Sequence, residues 1–445
     1  VGYAGYSSQV DEYEAGQNKE IALPIVLGSG LMEEIASLQN LEHACRRVIQ
    51  NGGTGGIDGM SIKELGKWFR KNWRKLQSDL LQSNYRPSPV RLVEIPKPKG
   101  GFRQLGIPTV KDRLVQQAIH QVLSPKYDKT FSPTSYGFRL GRSCEQAIRQ
   151  LSHYISGGKT YIVDIDLSKF FDEVNHERLM SRLSTQIGDK RVLKLIHLYL
   201  RSGMLKDGLV HQQIKGTPQG SPLSPLLSNI VLDELDRELS VRGHSYVRYA
   251  DDIVIAVDSL QSAERVKESI TNFIEHRLKL KVNAAKSKIC RPLDMNYLGH
   301  RFTAGGEILL SEESERRLKL KIRQLTKRNR GISFDQLLKE LNLALRGWLN
   351  YFRNAKMKSK LRALDSWIRR RLRCFRLKQC KRAIGIVRFL NRLGVPRNRA
   401  WTTASSRKGW WRKSSTPACN EAMNLNWFKQ QGLISLTSLY NLVNT

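Results

Sequence analysis

Residues 245–257 read Ser-Tyr-Val-Arg-Tyr-Ala-Asp-Asp-Ile-Val-Ile-Ala-Val, two apolar runs separated by a pair of aspartates. Each run has the length and the β-branched and aromatic composition of a strand. The stretch therefore predicts a hairpin with Asp251 and Asp252 at its turn. Two adjacent carboxylates at the end of a sheet repel each other unless cations neutralise them. Taken alone, the motif is also compatible with an ordinary aspartate-rich turn.

A second apolar run, Tyr161–Asp166, also ends in a carboxylate and is predicted to be a strand. Asp164 and Asp166 fall on the same face because side chains alternate with a period of two, so spacing alone does not choose between them. Three carboxylates from two neighbouring strands are suited to bind two divalent cations about 4 Å apart. Such a pair of ions activates an attacking hydroxyl and stabilises a leaving phosphate.

A basic hairpin is predicted over Arg91–Pro108, with its turn at Gly100-Gly101. Lys97 and Arg103 fall nearly opposite each other, and Arg91 shares their alternation. Like charges that face each other across a hairpin are unfavourable, so an anion such as a triphosphate is a natural ligand. A solvent-exposed basic hairpin is the alternative interpretation.

Along the chain, the predicted secondary structure changes from mixed α/β to helical. An apolar stripe predicts a helix over Lys111–Leu123, and Ser224-Pro225 is typical of a helix start, with the helix running to about Leu239. The best predicted domain boundary is the Ala304-Gly305-Gly306 break, with a weaker one after Cys380.

The charge of the chain is concentrated in one segment. The 445 residues contain 75 Lys and Arg against 40 Asp and Glu, a net charge of +35, while 40% hydrophobic residues exclude a wholly disordered basic tail. Residues 311–415 hold 31 basic and 6 acidic residues, a surplus of 25. Because acidic partners at helical spacing are almost absent there, the arginines of this segment predict a phosphate-binding face.

Cysteine spacing and hydropathy limit the class of protein further. The six cysteines form no Cys-x-x-Cys pair, which argues against a zinc ribbon and a disulfide scaffold and favours free thiols in a reducing compartment. No apolar stretch approaches the roughly 20 residues that span a bilayer. We therefore expect a soluble, cytoplasmic, bacterial protein with no membrane association.

An ordered series of motifs resembles the group II intron reverse transcriptase/maturase family over roughly residues 31–445. The matching segments are Gly53–Gly59 (GTGGIDG), Ile95–Pro108 (IPKPKGGFRQLGIP), Ser135–Arg142 (SYGFRLGR), Asp166–Asp172 (DLSKFFD), Gly216–Pro225 (GTPQGSPLSP), Tyr249–Asp252 (YADD), Asn283–Ile289 (NAAKSKI), Tyr297–Gly299 (YLG) and Gly347–Phe352 (GWLNYF). A Tyr-x-Asp-Asp motif alone is weak, but this series in this order is specific.

The resemblance implies an α/β (α+β) right-hand polymerase with antiparallel sheets in its fingers and palm. It predicts fingers and palm over residues 31–304, a helical thumb or maturase domain over 305–380, and a small basic DNA-binding region over 381–445; residues 1–30 are assigned no function. Since no His follows His300, an HNH endonuclease is not expected, and the tail resembles that of endonuclease-lacking, class C-like members.

The resemblance also implies a role for individual residues. Asp166, Asp251 and Asp252 match the catalytic residues that bind two Mg²⁺ ions, with Mn²⁺ as an alternative, and Asp164 becomes a structural neighbour. Phe171 matches a steric gate that excludes ribonucleotides. The other positions that match nucleotide-binding residues are Arg91, Lys97, Arg103, Gln219, Gly220, Ala250 and Lys286. Template or intron RNA contacts are expected at Gly55, Gly56, Asp58, Trp348, Tyr351, Arg369, Arg370 and Arg373.

The function implied is Mg²⁺-dependent DNA synthesis from dNTPs on an RNA template with a DNA or RNA primer. Binding of group II intron RNA, for splicing, and of target DNA, for retrohoming, is expected beside it. Two alternatives stay open: a polymerase-inactive splicing maturase, and a free-standing, host-adapted reverse transcriptase in DNA repair or phage defence. Retron and diversity-generating enzymes match less well because of the long basic thumb and tail, and Phe171 disfavours an RNA-dependent RNA polymerase.

Overall fold

The computed structural model describes residues 27–96, 100–206 and 209–444, so Lys97 lies outside the described residues. The helices of the described residues are α1 Leu31–Ala36, α2 Leu38–Asn51, α3 Ile62–Leu81, α4 Val110–Asp128, α5 Cys144–Ser156, α6 Phe170–Glu173, α7 His176–Ser184, α8 Lys190–Leu200, α9 Ser224–Val241, α10 Leu260–Asn272, α11 Glu312–Leu325, α12 Phe334–Phe352, α13 Lys358–Gln379, α14 Ala383–Arg392, α15 Arg397–Ser405, α16 Trp410–Lys413, α17 Pro417–Ala422, α18 Leu425–Gln430 and α19 Leu436–Val443. The strands are β1 Val90–Pro96, β2 Phe102–Ile107, β3 Tyr161–Asp166, β4 Met204–Lys206, β5 Leu209–His211, β6 Ser245–Tyr249, β7 Asp252–Val257, β8 Lys288–Cys290, β9 His300–Phe302 and β10 Ile308–Leu310.

The chain divides into two compact units. The first contains the described residues up to Phe131 together with Asn175–Ile214 and Pro218–Leu223. The second contains Ser132–Val174, Lys215–Thr217 and the chain from Ser224 onward. No helix of the described residues is long and apolar enough to cross a membrane.

The first unit packs helices beside a four-stranded sheet of order β2-β1-β4-β5. Thr109 is the N-cap of helix α4, and its side chain accepts from the Asp112 amide. The helix buries the predicted stripe that includes Leu114, Val115 and Ile119. Strands β1 and β2 are antiparallel with Ile95 opposite Arg103. The predicted helix and hairpin are therefore both present.

The second unit is built on an antiparallel sheet of order β6-β7-β3-β8. Its central strands are the predicted runs: β3 pairs with β7 from Tyr161↔Val257 to Asp166↔Asp252. One face is covered by α5, whose residues Ala147, Ile148 and Leu151 share a core with Val254 of β7. The order places the last residue of β3 beside the turn between β6 and β7.

A helical region follows the sheet in the second unit, and it shares one hydrophobic core that runs from Leu310 to Leu436. Buried Asp365 of α13 anchors the last helix by accepting from the amides of Leu436 and Thr437 at 2.9 and 3.0 Å. Ala304–Gly306 lies between β9 and β10, which form an antiparallel pair. The mixed α/β fold with antiparallel sheets and a helical C-terminal region is thus confirmed, while the three domain bounds stay predictions.

Arg248 of β6 is fully buried and forms a bidentate ion pair with buried Asp236 of α9. Its Nε donates to Asp236 Oδ1 at 2.8 Å, and Nη1 donates to the Ala250 carbonyl at 2.9 Å and to Asn229 Oδ1 at 3.0 Å. Nη2 donates to Ser135 Oγ at 2.7 Å and to the second carboxylate oxygen of Asp236. All five guanidinium donors are therefore satisfied without water.

We predict that Asp236→Asn lowers the free energy of unfolding by about 3–5 kcal/mol, because it leaves a buried guanidinium without its counter-charge. The matched control is Glu238→Gln on the same helix, which breaks the partly exposed pair of Glu238 with Arg242. That change should cost less than about 1 kcal/mol. Urea denaturation compares the two variants, and equal losses would contradict a special role for the buried pair.

We also predict that His300 makes stability depend on pH. His300 is buried, its Nδ1 lies 2.9 Å from the Leu298 carbonyl, and its ring centroid is 4.9 Å from that of Phe352. Burial lowers the pKa of His300 from 6.5 to about 4. Below pH 6.5 the unfolded chain takes up a proton that the folded chain refuses, so stability is lost as the pH falls from 6.5 toward 4.

The measurement is the free energy of unfolding at pH 8 and pH 5 for the parent chain and for His300→Phe, which keeps a ring but cannot titrate. The parent should lose about 2 kcal/mol more than the variant over this interval. Parallel pH curves for the two proteins would show that the histidine is not held neutral.

Candidate active site

The turn between β6 and β7 has a backbone conformation that its surroundings fix. Ala250 has a left-handed φ of +59°, which costs energy for a residue with a side chain. Its carbonyl accepts from Arg248 at 2.9 Å. On the other side, a Cβ added to Gly137 would lie 2.2 Å from the Ala250 nitrogen, so only glycine fits there. The turn that carries Asp251 and Asp252 is therefore clamped from two directions.

The structure brings three predicted carboxylates to this turn. Asp166, the last residue of β3, lies directly opposite Asp252, the first residue of β7, and Asp251 adjoins it in the turn. Opposed residues of an antiparallel pair have Cβ atoms about 4.5–5.5 Å apart, a distance at which like charges repel. Among the described residues, no three or more His, Cys, Asp or Glu side chains are arranged as a metal-binding group.

Asp164 lies two residues farther into β3. It pairs with Val254 on one side and with Lys288 on the other, away from the turn. Burial raises its pKa to about 6, with Lys288 opposing the shift and Asp166 adding to it. Spacing could not separate Asp164 from Asp166, whereas the strand register places only Asp166 opposite the paired aspartates.

The electrostatics of the turn favour binding of positive charge. Burial, and then repulsion from Asp251, Asp164 and Asp166, raises the pKa of Asp252 to about 6. The Asp252 side chain is itself exposed to solvent, so a cation can approach its carboxylate. The Lys286 ammonium lies 3.4 Å from an Asp166 carboxylate oxygen and partly offsets the negative charge.

Two consecutive phenylalanines follow β3 and have different surroundings. Phe170 is buried, with 3% of its surface exposed, whereas Phe171 is half-buried. The Phe171 carbonyl accepts from the Thr217 amide at 2.6 Å, which holds the backbone at this point. Phe170 therefore fills the core position, and the Phe171 ring is the one left partly accessible.

The first unit holds the other nucleotide-binding candidates that the structure describes. Arg91 and Arg103 lie on one face of the β1–β2 pair, as their alternation predicts. The Gln219 carbonyl accepts from the Gly106 amide of β2 at 2.9 Å, and Gly220 has a φ of +112° that favours glycine. The Pro-Gln-Gly segment is therefore seated on the same hairpin that carries the two arginines.

The predicted template loop is packed against its own chain. A Cβ on Gly55 would lie 2.6 Å from the Met60 carbonyl oxygen, and one on Gly56 would lie 2.5 Å from the Thr109 Cα. Asp58 accepts from the Met60 amide at 3.3 Å. These contacts explain the two glycines without a bound strand, and the template contact stays a prediction.

Several predicted RNA-binding side chains make contacts within the helical region. Tyr351 donates to the Leu298 carbonyl at 3.1 Å, and Trp348 packs on Phe352 with ring centroids 5.0 Å apart. Such contacts give both aromatic residues a structural role, in addition to any role in binding.

The predicted RNA-binding arginines of α13 also make contacts within the helical region. The Arg370 guanidinium lies 4.0 Å from the centre of the Trp411 ring and donates to the Trp411 carbonyl. Arg373 donates to the Met423 carbonyl at 2.9 Å. Arg369, on the same helix, is half-buried. Part of the basic face predicted on this helix therefore contacts the C-terminal residues of the same chain, at Trp411 and Met423.

The sequence reasoning missed Arg248, Asp236 and Gly137. A signal for the first was present, because an arginine inside an apolar strand requires a buried partner. The sequence did not identify that partner, since Asp236 is one of several acids on α9.

Comparison with known proteins agrees with this geometry. Residues 95–302 match the reverse transcriptase (RNA-dependent DNA polymerase) family, and residues 315–393 match the group II intron maturase-specific domain. Protein YkfC of Escherichia coli is 33% identical over 312 residues, which cover 61% of this chain and 82% of YkfC. The group II intron-encoded protein LtrA of Lactococcus lactis is 29% identical over 48% of this chain, and the match spans 47% of LtrA.

A solved structure described as a partial Cas6-RT-Cas1–Cas2 complex contains a chain that is 26% identical to this one. The match covers 55% of this chain and 42% of that chain, with a TM-score of 0.36.

Three observations agree on one family: the paired aspartates at the end of an antiparallel sheet, the two matching domains in this order, and the relatives YkfC and LtrA. The chain belongs to the group II intron reverse transcriptase/maturase family.

Proposed function

We propose that this chain is the RNA-directed DNA polymerase of a group II intron, which extends a DNA or RNA primer with dNTPs on an RNA template. The observation that carries the proposal is the pairing of Asp166 with Asp252, beside Asp251, at the end of the β6-β7-β3-β8 sheet. Polymerisation needs carboxylates held together at a point that a primer end can reach. The turn between β6 and β7 holds the carboxylates together and lies at an end of the sheet where Asp252 is exposed.

The residues of the turn are suited to hold divalent cations, which reverse transcriptases as a family use. Carboxylate oxygens are hard ligands that Mg²⁺ prefers, with Mn²⁺ as an alternative. The repulsion that raises the pKa of Asp252 would be relieved by bound cations. We propose that Asp166, Asp251 and Asp252 hold two Mg²⁺ ions, which when bound supply an activated 3′-hydroxyl and neutralise the leaving pyrophosphate.

Other side chains would bind and select the nucleotide. The partly accessible Phe171 ring would lie against the sugar and exclude a 2′-hydroxyl, and the small Ala250 would leave room beside the new base pair. We assign triphosphate binding to Arg91, Lys97 and Arg103, since arginine and lysine stabilise phosphate charge as it develops.

Three further residues complete this assignment. Gln219 and Gly220 would line the nucleotide site through the segment seated on β2. Lys286, which lies beside Asp166, would act near the pyrophosphate.

Binding of intron RNA, for splicing and retrohoming, is the second part of the proposal. It is supported by the maturase-specific match over residues 315–393 and by the charge of the helical region. Because Arg370 and Arg373 contact the tail, we assign most phosphate contacts to exposed cations around α14 and α15. These are Lys381, Arg382, Arg388, Arg392 and Arg397. Target DNA would be bound in the same way, through basic side chains that neutralise its phosphates.

We predict that Asp251→Asn and Asp252→Asn each slow primer extension on an RNA template by at least about a hundredfold, near 3 kcal/mol of barrier. The amide keeps the shape but removes the charge that holds a cation. The matched control is Asp164→Asn, the same change two residues from Asp166 on the same strand, which should keep extension within about threefold of the parent, below 1 kcal/mol.

Extension and intron RNA binding should be measured on the same protein preparations. Parent-like extension by the Asp251 and Asp252 variants would contradict the catalytic assignment. A parent chain that binds intron RNA but extends no primer would instead support a splicing maturase without polymerase activity.

We predict that Phe171→Ala reduces the preference for dNTP over NTP by at least about tenfold, because a smaller side chain no longer clashes with a 2′-hydroxyl. The control is Phe170→Leu, a large-to-small change in the buried neighbour that should cost less than the roughly 3–5 kcal/mol of a truncation to Ala and leave sugar selection intact. The readout is the ratio of kcat/KM for dCTP and CTP, and an unchanged ratio in Phe171→Ala would refute the gate.

A further inference from the structure

Two large apolar side chains are exposed on the loop that precedes α5. Phe138 is 49% exposed and Leu140 is 81% exposed. Phe138 also has a φ of +59°, a left-handed conformation that is rare and unfavourable for an aromatic residue. Neither exposure nor strain benefits the folded chain by itself, and strain of this kind tends to occur at functional sites.

The loop is held rigidly by buried polar contacts, so the position of Phe138 is imposed. Arg139 is buried and donates to the carbonyls of Ser132 and Ser135 at 2.6 and 2.8 Å. The Gly137 carbonyl accepts from the buried amide of Asn229 at 2.9 Å. The Gly137 backbone before Phe138 and the Arg139 side chain after it are thus both held by hydrogen bonds, while about half of the Phe138 surface is exposed.

The same loop contacts the catalytic turn directly. Gly137 packs so closely on Ala250 that a Cβ would lie 2.2 Å from the Ala250 nitrogen. Phe138 follows at the next Cα, about 3.8 Å along the chain. The ring is therefore attached one residue away from the backbone that packs on the turn carrying Asp251 and Asp252.

We infer that Phe138 is a positioning residue whose ring packs on the sugar and base of the terminal base pair of the primer–template. The inference rests on the proposed polymerase function and adds a contact to it. An aromatic face binds any base or sugar without regard to sequence, which suits a copying enzyme. Because the ring carries no charge, its contribution is independent of the phosphate contacts and of salt.

The first test is Phe138→Gly, which removes the ring and also relieves the left-handed strain, so the variant should fold at least as well as the parent. We expect the Kd for a primer–template duplex, measured by fluorescence anisotropy, to rise at least tenfold with an unchanged salt dependence. At saturating duplex, kcat should stay within threefold of the parent. Phe138→Tyr, which retains a ring, should bind within threefold of the parent.

Lys279→Gly is the control for strain relief, since Lys279 also has a positive φ, of 56°, and carries no ring. Its Kd should change by less than threefold. The inference is overturned if Phe138→Gly binds within twofold of the parent, or if Phe138→Tyr binds as weakly as Phe138→Gly. Duplex binding and primer extension are measured separately. If the parent chain extends no primer, the proposed polymerase function is contradicted. The role of Phe138 is decided by the Kd values alone.

Discussion

The buried ion pair of Arg248 with Asp236 is the interaction on which the geometry of the turn between β6 and β7 depends. Every N–H of the Arg248 guanidinium donates a hydrogen bond. One of these bonds is to the carbonyl of Ala250, a residue in an unfavourable left-handed conformation. Gly137 closes the other side of the turn. The desolvation cost of this buried charge pair is therefore offset by a full set of hydrogen bonds, which also fix the turn that carries Asp251 and Asp252.

Charge has two separate uses in this chain. Near the turn, burial together with repulsion from neighbouring carboxylates raises the pKa of Asp252 to about 6, and bound cations would relieve the repulsion. In residues 311–415, basic residues exceed acidic ones by 25. Some of that excess binds the chain itself, as Arg370 on Trp411 and Arg373 on the Met423 carbonyl demonstrate. A basic helix is thus a weaker indicator of nucleic-acid contact than its composition alone implies.

Local pattern predicted the elements well because their causes are local. Strand Tyr161–Asp166 and both strands around the paired aspartates follow from apolar runs rich in β-branched and aromatic residues. Gly100 and Gly101, expected in the turn of the first hairpin, both have a positive φ. Contacts between distant segments were not predictable. The partner of Arg248 lies on another element, and the return of Asn175–Ile214 to the first unit depends on packing that no local pattern encodes. Residue spacing left Asp164 and Asp166 equivalent and only the family resemblance favoured Asp166, which the register of the sheet places opposite Asp252.

The most direct test of the proposed metal site is anomalous diffraction from crystals of the protein with a primer–RNA template, a dNTP and Mn²⁺. We expect two manganese peaks about 4 Å apart, bounded by the carboxylates of Asp166, Asp251 and Asp252. Peaks at Asp164 instead of Asp166, or the absence of any peak at this turn while nucleotide density is present, would contradict it.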